Sequence, residues 1–211
     1  MARPAQRRAW LLLTVLALAF AVLIVLVTTD WGPLHRLDLR VATNLHDVAV
    51  HHPDQVTFWK WVSWVLHPDV ERIAAAIAAV ALWLTARRGA AIFVAVVMAG
   101  EAVLEAVAKL AVGRDRPVFA DPVAHGAGNS FPSGHALTAV VAFGLLVLLV
   151  PRRYKVVAGV VGALAALLVS YSRLALGVHY LSDVVGAWLL GAAWLALTWW
   201  QFRVRTVQAT A

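Results

Sequence analysis

The stretch WLLLTVLALAFAVLIVLVTT, residues 10–29, decides the class of the fold. It carries no charge, and its twenty residues match the length of helix that crosses about 30 Å of hydrocarbon. A basic leader with Arg3, Arg7 and Arg8 precedes it, as in a secretory signal peptide. However, the run is longer than an ordinary h-region, and residues 27–30 offer no small-x-small cleavage site. We therefore expect an uncleaved transmembrane helix.

The rest of the chain repeats this pattern. Apolar residues make up 62% of the sequence and charged residues 14%, whereas a soluble domain has about a quarter charged residues. The apolar residues form long blocks, which is typical of membrane proteins. After the first block, further candidate spans lie at about residues 70–86, 89–112, 134–150, 156–175 and 180–202. The block at 70–86 is the weakest, since its charge-free core, residues 73–85, is short.

These blocks predict an all-α fold, a bundle of six transmembrane helices in a single domain over residues 1–211. Two longer loops remain, at residues 30–69 and 113–133. Residues 57–66 in the first loop hold Phe58, Trp59, Trp61 and Trp64, but they are too few to span a bilayer. We expect them to form a helix lying in the membrane interface.

The basic residues predict the orientation. With both termini in the cytoplasm, every short cytoplasmic segment is basic, as the positive-inside rule requires. These residues are Arg3, Arg7, Arg8, Arg87, Arg88, Arg152, Arg153, Lys155, Arg203 and Arg205. The two long loops then face outward from a plasma or inner membrane.

Composition also excludes some classes of protein. The net charge of +7 is not gathered into one basic face or arm, so nucleic acid is not an expected partner. Cysteine is absent, which removes disulfides, thiolate metal sites and a cysteine nucleophile. The histidines at 35, 46, 51, 52, 67 and 125 have no compact metal-ligand spacing, and we expect solvated loop residues. No obligate protein partner is evident.

Three polar clusters fall at the outer ends of predicted spans: KLAVGRDRP at residues 109–117, PSGH at 132–135, and SRLALGVHYLSD at 172–183. Lys109, Arg116 and Arg173 supply cations from different segments, suited to the oxygens of a phosphoryl group in transfer. Ser133 and Gly134 open the fourth span, where free N–H groups and the helix dipole attract anions. Gly134 would allow a phosphate to approach closely.

His179 and Asp183 are four residues apart and share a face if helical. The carboxylate can then accept a hydrogen bond from Nδ1–H and leave Nε2 free as a nucleophile. His135 has an imidazole suited to proton transfer near neutral pH.

The three clusters together resemble the tripartite motif of the phosphatidic acid phosphatase type 2 superfamily, and the six-span layout resembles its bacterial lipid phosphatases. The resemblance implies that His179 attacks phosphorus and forms a phosphohistidine, with Asp183 orienting it. It implies that His135 protonates the leaving oxygen and later activates water. It also implies hydrolysis of a lipid phosphate or diphosphate outside the cytoplasm, without a metal or other cofactor. Phosphatidic acid, phosphatidylglycerol phosphate and a polyprenyl diphosphate are expected substrates.

Two alternatives remain open: phosphotransfer to an acceptor alcohol through the same phosphohistidine, and a non-catalytic lipid-binding or carrier protein. The motif also resembles that of vanadium haloperoxidases, which are soluble, unlike this apolar chain. For Glu101 and Glu105 we expect a structural role, with Glu105 placing Lys109 by an i,i+4 pair. We expect Asp115 to pair with a neighbouring arginine.

Overall fold

The protein is all-α. The computed structural model describes residues 4–209, with side chains for residues 6–202; within this part there are eight α-helices, one 3₁₀ turn and no strand. The helices are α1 (Pro4–Thr28), α2 (Gly32–His51), α3 (Pro53–Val65), α4 (Pro68–Leu84), α5 (Arg88–Val112), α6 (Gly134–Leu149), α7 (Lys155–Ala175) and α8 (Leu181–Ala209). Arg3 and the side chains of Arg203 and Arg205, used above for orientation, lie outside the described residues.

Four helical segments are long and apolar enough to cross a membrane. They are Gln6–Thr28, Arg88–Val112, Arg152–Ala175 and Leu181–Phe202. The helix α6 is apolar but shorter, at 16 residues. The helix α4 has 17 residues and begins with Asp69, Glu71 and Arg72 in its first turns. All six predicted blocks are therefore helical, but length and composition support four of them as spans.

The first long loop is where the prediction differs most from the structure. Residues 30–69 hold two helices in succession, and α2 was not predicted. Its composition gave no long apolar run, but it buries Asp38, Ala42, His46 and Ala49, a helical spacing of four, four and three. The helix α3 begins four residues before the predicted segment 57–66.

The helix α6 lies at the centre of the bundle and packs against α4, α5, α7 and α8. Its Leu137 and Val141 are buried in the main core with Val97 of α5 and Ala187 of α8. Gly162 of α7 lets this helix approach Phe143, since a Cβ there would lie 2.9 Å from the Cβ of Phe143. This packing places the first residues of α6 beside the last turns of α5 and α7, which carry the other two clusters.

Candidate active site

The three motif segments converge on one cavity of about 530 Å³. Of the predicted site residues, Lys109, Arg116, Gly134, His135, Arg173 and His179 line it. Ser133 and Asp183 do not line the cavity and are fully buried behind it. The cavity is polar and open, and these six residues line it although they lie in separate parts of the chain.

His179 and Asp183 form the predicted pair. Nδ1 of His179 lies 3.3 Å from Oδ2 of Asp183, and the same oxygen accepts from the backbone N–H of Tyr180 at 2.8 Å. Nε2 of His179 lies 3.0 Å from Nη1 of Arg116. Burial lowers the pKa of His179 to about 4, against the opposing influence of Asp183. The imidazole is therefore neutral at neutral pH, with Nε2 directed at an arginine in the cavity.

Arg116 is held by backbone carbonyls. Its guanidinium donates to the carbonyl oxygens of Gly128, Ala127 and Val178 at 2.9, 2.8 and 2.7 Å. Burial lowers the pKa of Arg116. Gly126 makes room for the side chain, because a Cβ there would lie 2.5 Å from Nη1. The residue 113–133 loop thus fixes a cation over the histidine.

Lys109 is placed by the pair that the sequence predicted. Its Nζ donates to Oε1 of Glu105 at 2.7 Å. The other oxygen of Glu105 accepts from Arg72 at 2.7 Å, and Arg72 also reaches Glu101 at 3.1 Å. Arg72, which sequence reasoning missed, is therefore a further cation lining the cavity. It is held by the buried carboxylate of Glu101 and the partly buried carboxylate of Glu105. A basic residue within the weakest apolar block was the signal that could have pointed to it.

The N-terminus of α6 has a hydroxyl without a partner. Ser133 is the N-cap residue, but its Oγ makes no hydrogen bond to any described residue although it is fully buried. Gly134 also lies close to the Glu105 side chain. A Cβ there would lie 2.2 Å from Oε1 of Glu105, so the group closest to Gly134 is this carboxylate.

His135 contacts a residue that was not predicted. Its Nε2 lies 3.3 Å from Oγ of Ser63 on α3, and Ser63 also accepts a short hydrogen bond from Nη1 of Arg173. The ring of His67 packs edge-on against that of His135, with 4.9 Å between centroids. Both Ser63 and His67 line the cavity. Ser63 lies in the Trp-rich segment, which gave no sign of chemistry.

A second group of polar side chains lies behind His179. Arg114 donates to Asp183 Oδ1 and to Asp38 Oδ2, both at 2.7 Å, and to Ser182 Oγ at 2.6 Å. Asp38 also accepts from the backbone N–H of Ser182 at 2.9 Å. Burial alone would lower the pKa of Arg114, but Asp183 and Asp38 together raise it. The helix α2, itself unpredicted, thus supplies a carboxylate to this group.

The prediction for Asp115 is wrong, because its carboxylate makes no ion pair with any described residue and Arg114 and Arg116 use other partners. The prediction of solvated histidines fails for His46, which is buried on α2 and stacks on Phe119 at 3.9 Å between centroids. Within residues 4–209, no three His, Cys, Asp or Glu side chains are grouped in a way that could hold a metal ion.

Residues 89–206, more than half of the chain, match the PAP2 superfamily, and this segment includes all three clusters. The chain belongs to the PAP2 superfamily. A transmembrane PAP2-type phosphatidylglycerolphosphate phosphatase from Bacillus subtilis has a similar fold, with a TM-score of 0.79 over 88% of this chain and 93% of that chain, at 21% identity. With its apolar helices, this PAP2 chain is a multi-pass membrane protein.

Two relatives are similar in sequence. Phosphatidylglycerophosphatase B of Bacillus subtilis is 34% identical over 94 residues, which cover 42% of this chain and 46% of that protein. An undecaprenyl-diphosphatase of Sulfolobus acidocaldarius is 42% identical over 67 residues, 32% of this chain and 30% of that protein. The chain thus matches less than half the length of these curated relatives.

Proposed function

We propose that the protein is an integral membrane phosphatase that hydrolyses a lipid phosphate or diphosphate through a phosphohistidine. One observation carries the proposal: His179, backed by Asp183, meets His135 and the cations Lys109, Arg116 and Arg173 at one cavity. The phosphoryl group in transfer needs an in-line nucleophile and charge on its equatorial oxygens. In this proposal His179 is the nucleophile and the three cations supply the charge.

The first step begins with a neutral His179. Without substrate, Nη1 of Arg116 lies 3.0 Å from Nε2 of His179. When substrate enters, the arginine N–H donates to a phosphate oxygen instead, which leaves Nε2 free. Nε2 then attacks phosphorus, and the bond between phosphorus and the lipid oxygen breaks. Asp183 stabilises the imidazolium that forms. His135 gives its proton to the departing oxygen, so no alkoxide accumulates.

The second step uses the same groups in reverse. His135, now neutral, takes a proton from a water molecule, and the resulting hydroxide attacks the phosphohistidine. The bond between phosphorus and nitrogen breaks, inorganic phosphate leaves, and His179 is neutral again. The three cations hold the phosphate oxygens in both steps and take the place that Mg²⁺ has in many phosphoryl-transfer enzymes. The reaction therefore needs no metal.

The proposed topology has six spans in one domain, with the termini in the cytoplasm and the cavity at the outer face of the plasma or inner membrane. The basic pair at Arg87 and Arg88 lies at the far end of α5 from Lys109, which agrees with the positive-inside rule. The helix α3 would lie in the interface. Trp61 and Trp64 are 58% and 71% exposed, which supports this position.

The substrate candidates are phosphatidic acid, phosphatidylglycerol phosphate and a polyprenyl diphosphate. The names of the two relatives refer to phosphatidylglycerol phosphate and to a polyprenyl diphosphate. The lipid tails remain in the bilayer while the head group enters the cavity beside α3.

The experiment is an assay of detergent-purified protein against these lipids with EDTA present, measuring free phosphate. We expect release from at least one lipid and none from the His179→Ala variant. The control is His35→Ala, a histidine that pairs with Asp30 and does not line the cavity, for which we expect wild-type rates. Loss of activity in EDTA with recovery in Mg²⁺ would overturn the metal-free mechanism. A phosphorylated product formed from an added alcohol, in place of free phosphate, would indicate a phosphotransferase.

A further inference from the structure

An apolar groove of about 650 Å³ runs along the bundle between α4 and α6, separate from the polar cavity. Small side chains of α4, among them Ala74 and Ala78, form one wall, and Leu146 and Leu149 of α6 form the other. The outer end of the groove is lined by Val65 and Leu66, and the neighbouring residues Trp64 and His67 line the polar cavity. The groove and the cavity therefore adjoin at the start of α4.

Glu71 is the polar exception in this groove. Its side chain lines the groove, the residue is 7% exposed, and neither carboxyl oxygen has a hydrogen-bond partner among the described residues. Its neighbour Arg72 is directed at Glu101 and Glu105 instead. A polar group buried without a partner is costly, whether or not it is ionised. The mechanism above does not use Glu71, so a ligand is the natural partner.

The position of Glu71 specifies what part of a ligand it would meet. Glu71 follows His67 by one helical turn, and its N–H donates to the His67 carbonyl at 3.1 Å. One turn is about 5.4 Å along the helix axis. Glu71 therefore lies about one helical turn beyond a residue that lines the polar cavity. In an acylated lipid phosphate, the polar group between the phosphate and the fatty chain is the ester or amide that joins that chain. Its carbonyl oxygen can accept a hydrogen bond from a protonated carboxyl group.

We propose that the groove between α4 and α6 holds a fatty-acyl chain of the substrate and that Glu71 donates a hydrogen bond to the carbonyl oxygen of its ester or amide linkage. This proposal rests on the proposed function and narrows the class of lipid substrate. An acylated lipid phosphate satisfies Glu71, whereas a polyprenyl diphosphate has no carbonyl and leaves it without a partner. Acylated lipids are therefore the preferred substrates.

The test compares lipid phosphates that differ in one linkage. Ester-linked and ether-linked glycerol phosphates of equal chain length are hydrolysed in the same detergent. We expect wild-type kcat/KM to favour the ester by about five- to tenfold, the value of one hydrogen bond. Glu71→Leu should abolish the preference, and Glu71→Gln, which keeps an N–H donor, should retain part of it. An equal ester-to-ether ratio in wild type and Glu71→Leu would overturn the proposal.

A second pair of variants tests the groove itself. Ala78→Trp fills it, and Ala76→Trp adds the same bulk on a position of α4 outside the groove lining. We expect Ala78→Trp alone to reduce kcat/KM for long-chain lipids while rates with p-nitrophenyl phosphate, which has no chain, stay at the wild-type value. Equal effects of the two variants, or equal loss with both substrates, would contradict the groove as the chain site.

A binding measurement separates this proposal from the proposed function. Ester-linked and ether-linked phosphonate lipids cannot be hydrolysed, so their effect on thermal stability in detergent reports binding without turnover. We expect greater stabilisation by the ester form in wild type and equal stabilisation in Glu71→Leu. If this holds while no lipid is hydrolysed, the proposed function fails and the acyl site stands. If phosphate is released but the linkage makes no difference to binding, the acyl site fails and the phosphatase stands.

Discussion

The two sides of His179 differ in how their polar groups are satisfied. Behind the ring, hydrogen bonds of 2.5 to 2.9 Å join four polar residues that are buried or nearly so: Asp183, Arg114, Asp38 and Ser182. On the cavity side of the ring, Arg173 lines the cavity and its Nε has no partner among the described residues. Oγ of Ser133, a buried residue next to the cavity-lining Gly134, has no partner there either. The polar groups behind the ring therefore have hydrogen-bond partners without a ligand, whereas some of those on the cavity side do not. We call these two sides the rear and the front of the site. In the proposed function, the groups behind the ring support His179, and the cavity side binds the phosphate.

Replacing His179, which lies between the two sides, should have the largest effect on the rate of phosphate release. We expect His179→Ala to lower kcat by ~10⁴-fold or more, because the variant lacks the proposed nucleophile and its Asp183 support. The measurement is phosphate release by purified protein, with thermal unfolding to show that the variant folds. Wild-type turnover in a folded variant would assign the nucleophile elsewhere.

On the front side, Arg116→Lys should lower kcat by about 10²–10³-fold. An ammonium cannot bond to several loop carbonyls and a phosphate at once, as the planar guanidinium can. The matched control is Arg88→Lys at the other end of α5, which we expect to leave kcat unchanged. If both variants behave alike, the fixed position of the Arg116 guanidinium contributes nothing to the reaction.

On the rear side, Asp38→Asn should lower kcat by up to ~10²-fold and leave KM nearly unchanged. Asp38 does not line the cavity, so its loss shifts the support of His179 without removing a substrate contact. Asp47→Asn on the exposed face of the same helix is the control. A rise in KM with constant kcat would contradict a positioning role.

The smallest effect concerns pH. With the pKa of His179 lowered to about 4, acidification from pH 7 to 5 should protonate only about a tenth of the nucleophile. At an ordinary pKa of about 6.5, nearly all of it would be protonated at pH 5. ¹⁵N NMR of labelled histidines in detergent, with the His179 signal assigned by its loss in His179→Ala, measures the midpoint. A midpoint near 6.5 would refute the burial effect.

The same shift affects stability. Between pH 6.5 and 4 the unfolded chain binds a proton at His179 that the folded protein does not, so this residue makes the protein less stable as pH falls through that window. The thermal midpoint of wild type should therefore fall more than that of His179→Ala between pH 7 and pH 5.

Most of the cavity side of the site could be predicted from the sequence, whereas of the group behind His179 only Asp183 could. Fixed spacings in three short clusters identified Lys109, Arg116, His135, Arg173 and His179, because these residues lie at helix ends next to the cavity. The i,i+4 pairs of His179 with Asp183 and Glu105 with Lys109 are local and follow from helix geometry.

The rear depends on contacts between residues far apart in the chain. Asp38 meets Ser182, 144 positions away, and its helix α2 has no apolar run to announce it. Within the cavity lining, Ser63 and Arg173 meet in the same way, at a separation of 110 positions. No periodicity encodes such pairs, since they arise only when the helices pack.

The most direct test of the account is to trap the phosphorylated protein. In His135→Ala, p-nitrophenyl phosphate supplies a leaving group that needs no proton, while the second step lacks its base. We expect a burst of one p-nitrophenolate per protein and, by mass spectrometry of peptides kept at alkaline pH, one phosphoryl group on His179. A phosphoryl group on any other residue, or steady release without a burst or a phosphorylated peptide, would contradict the convergence of these residues into a phosphohistidine site.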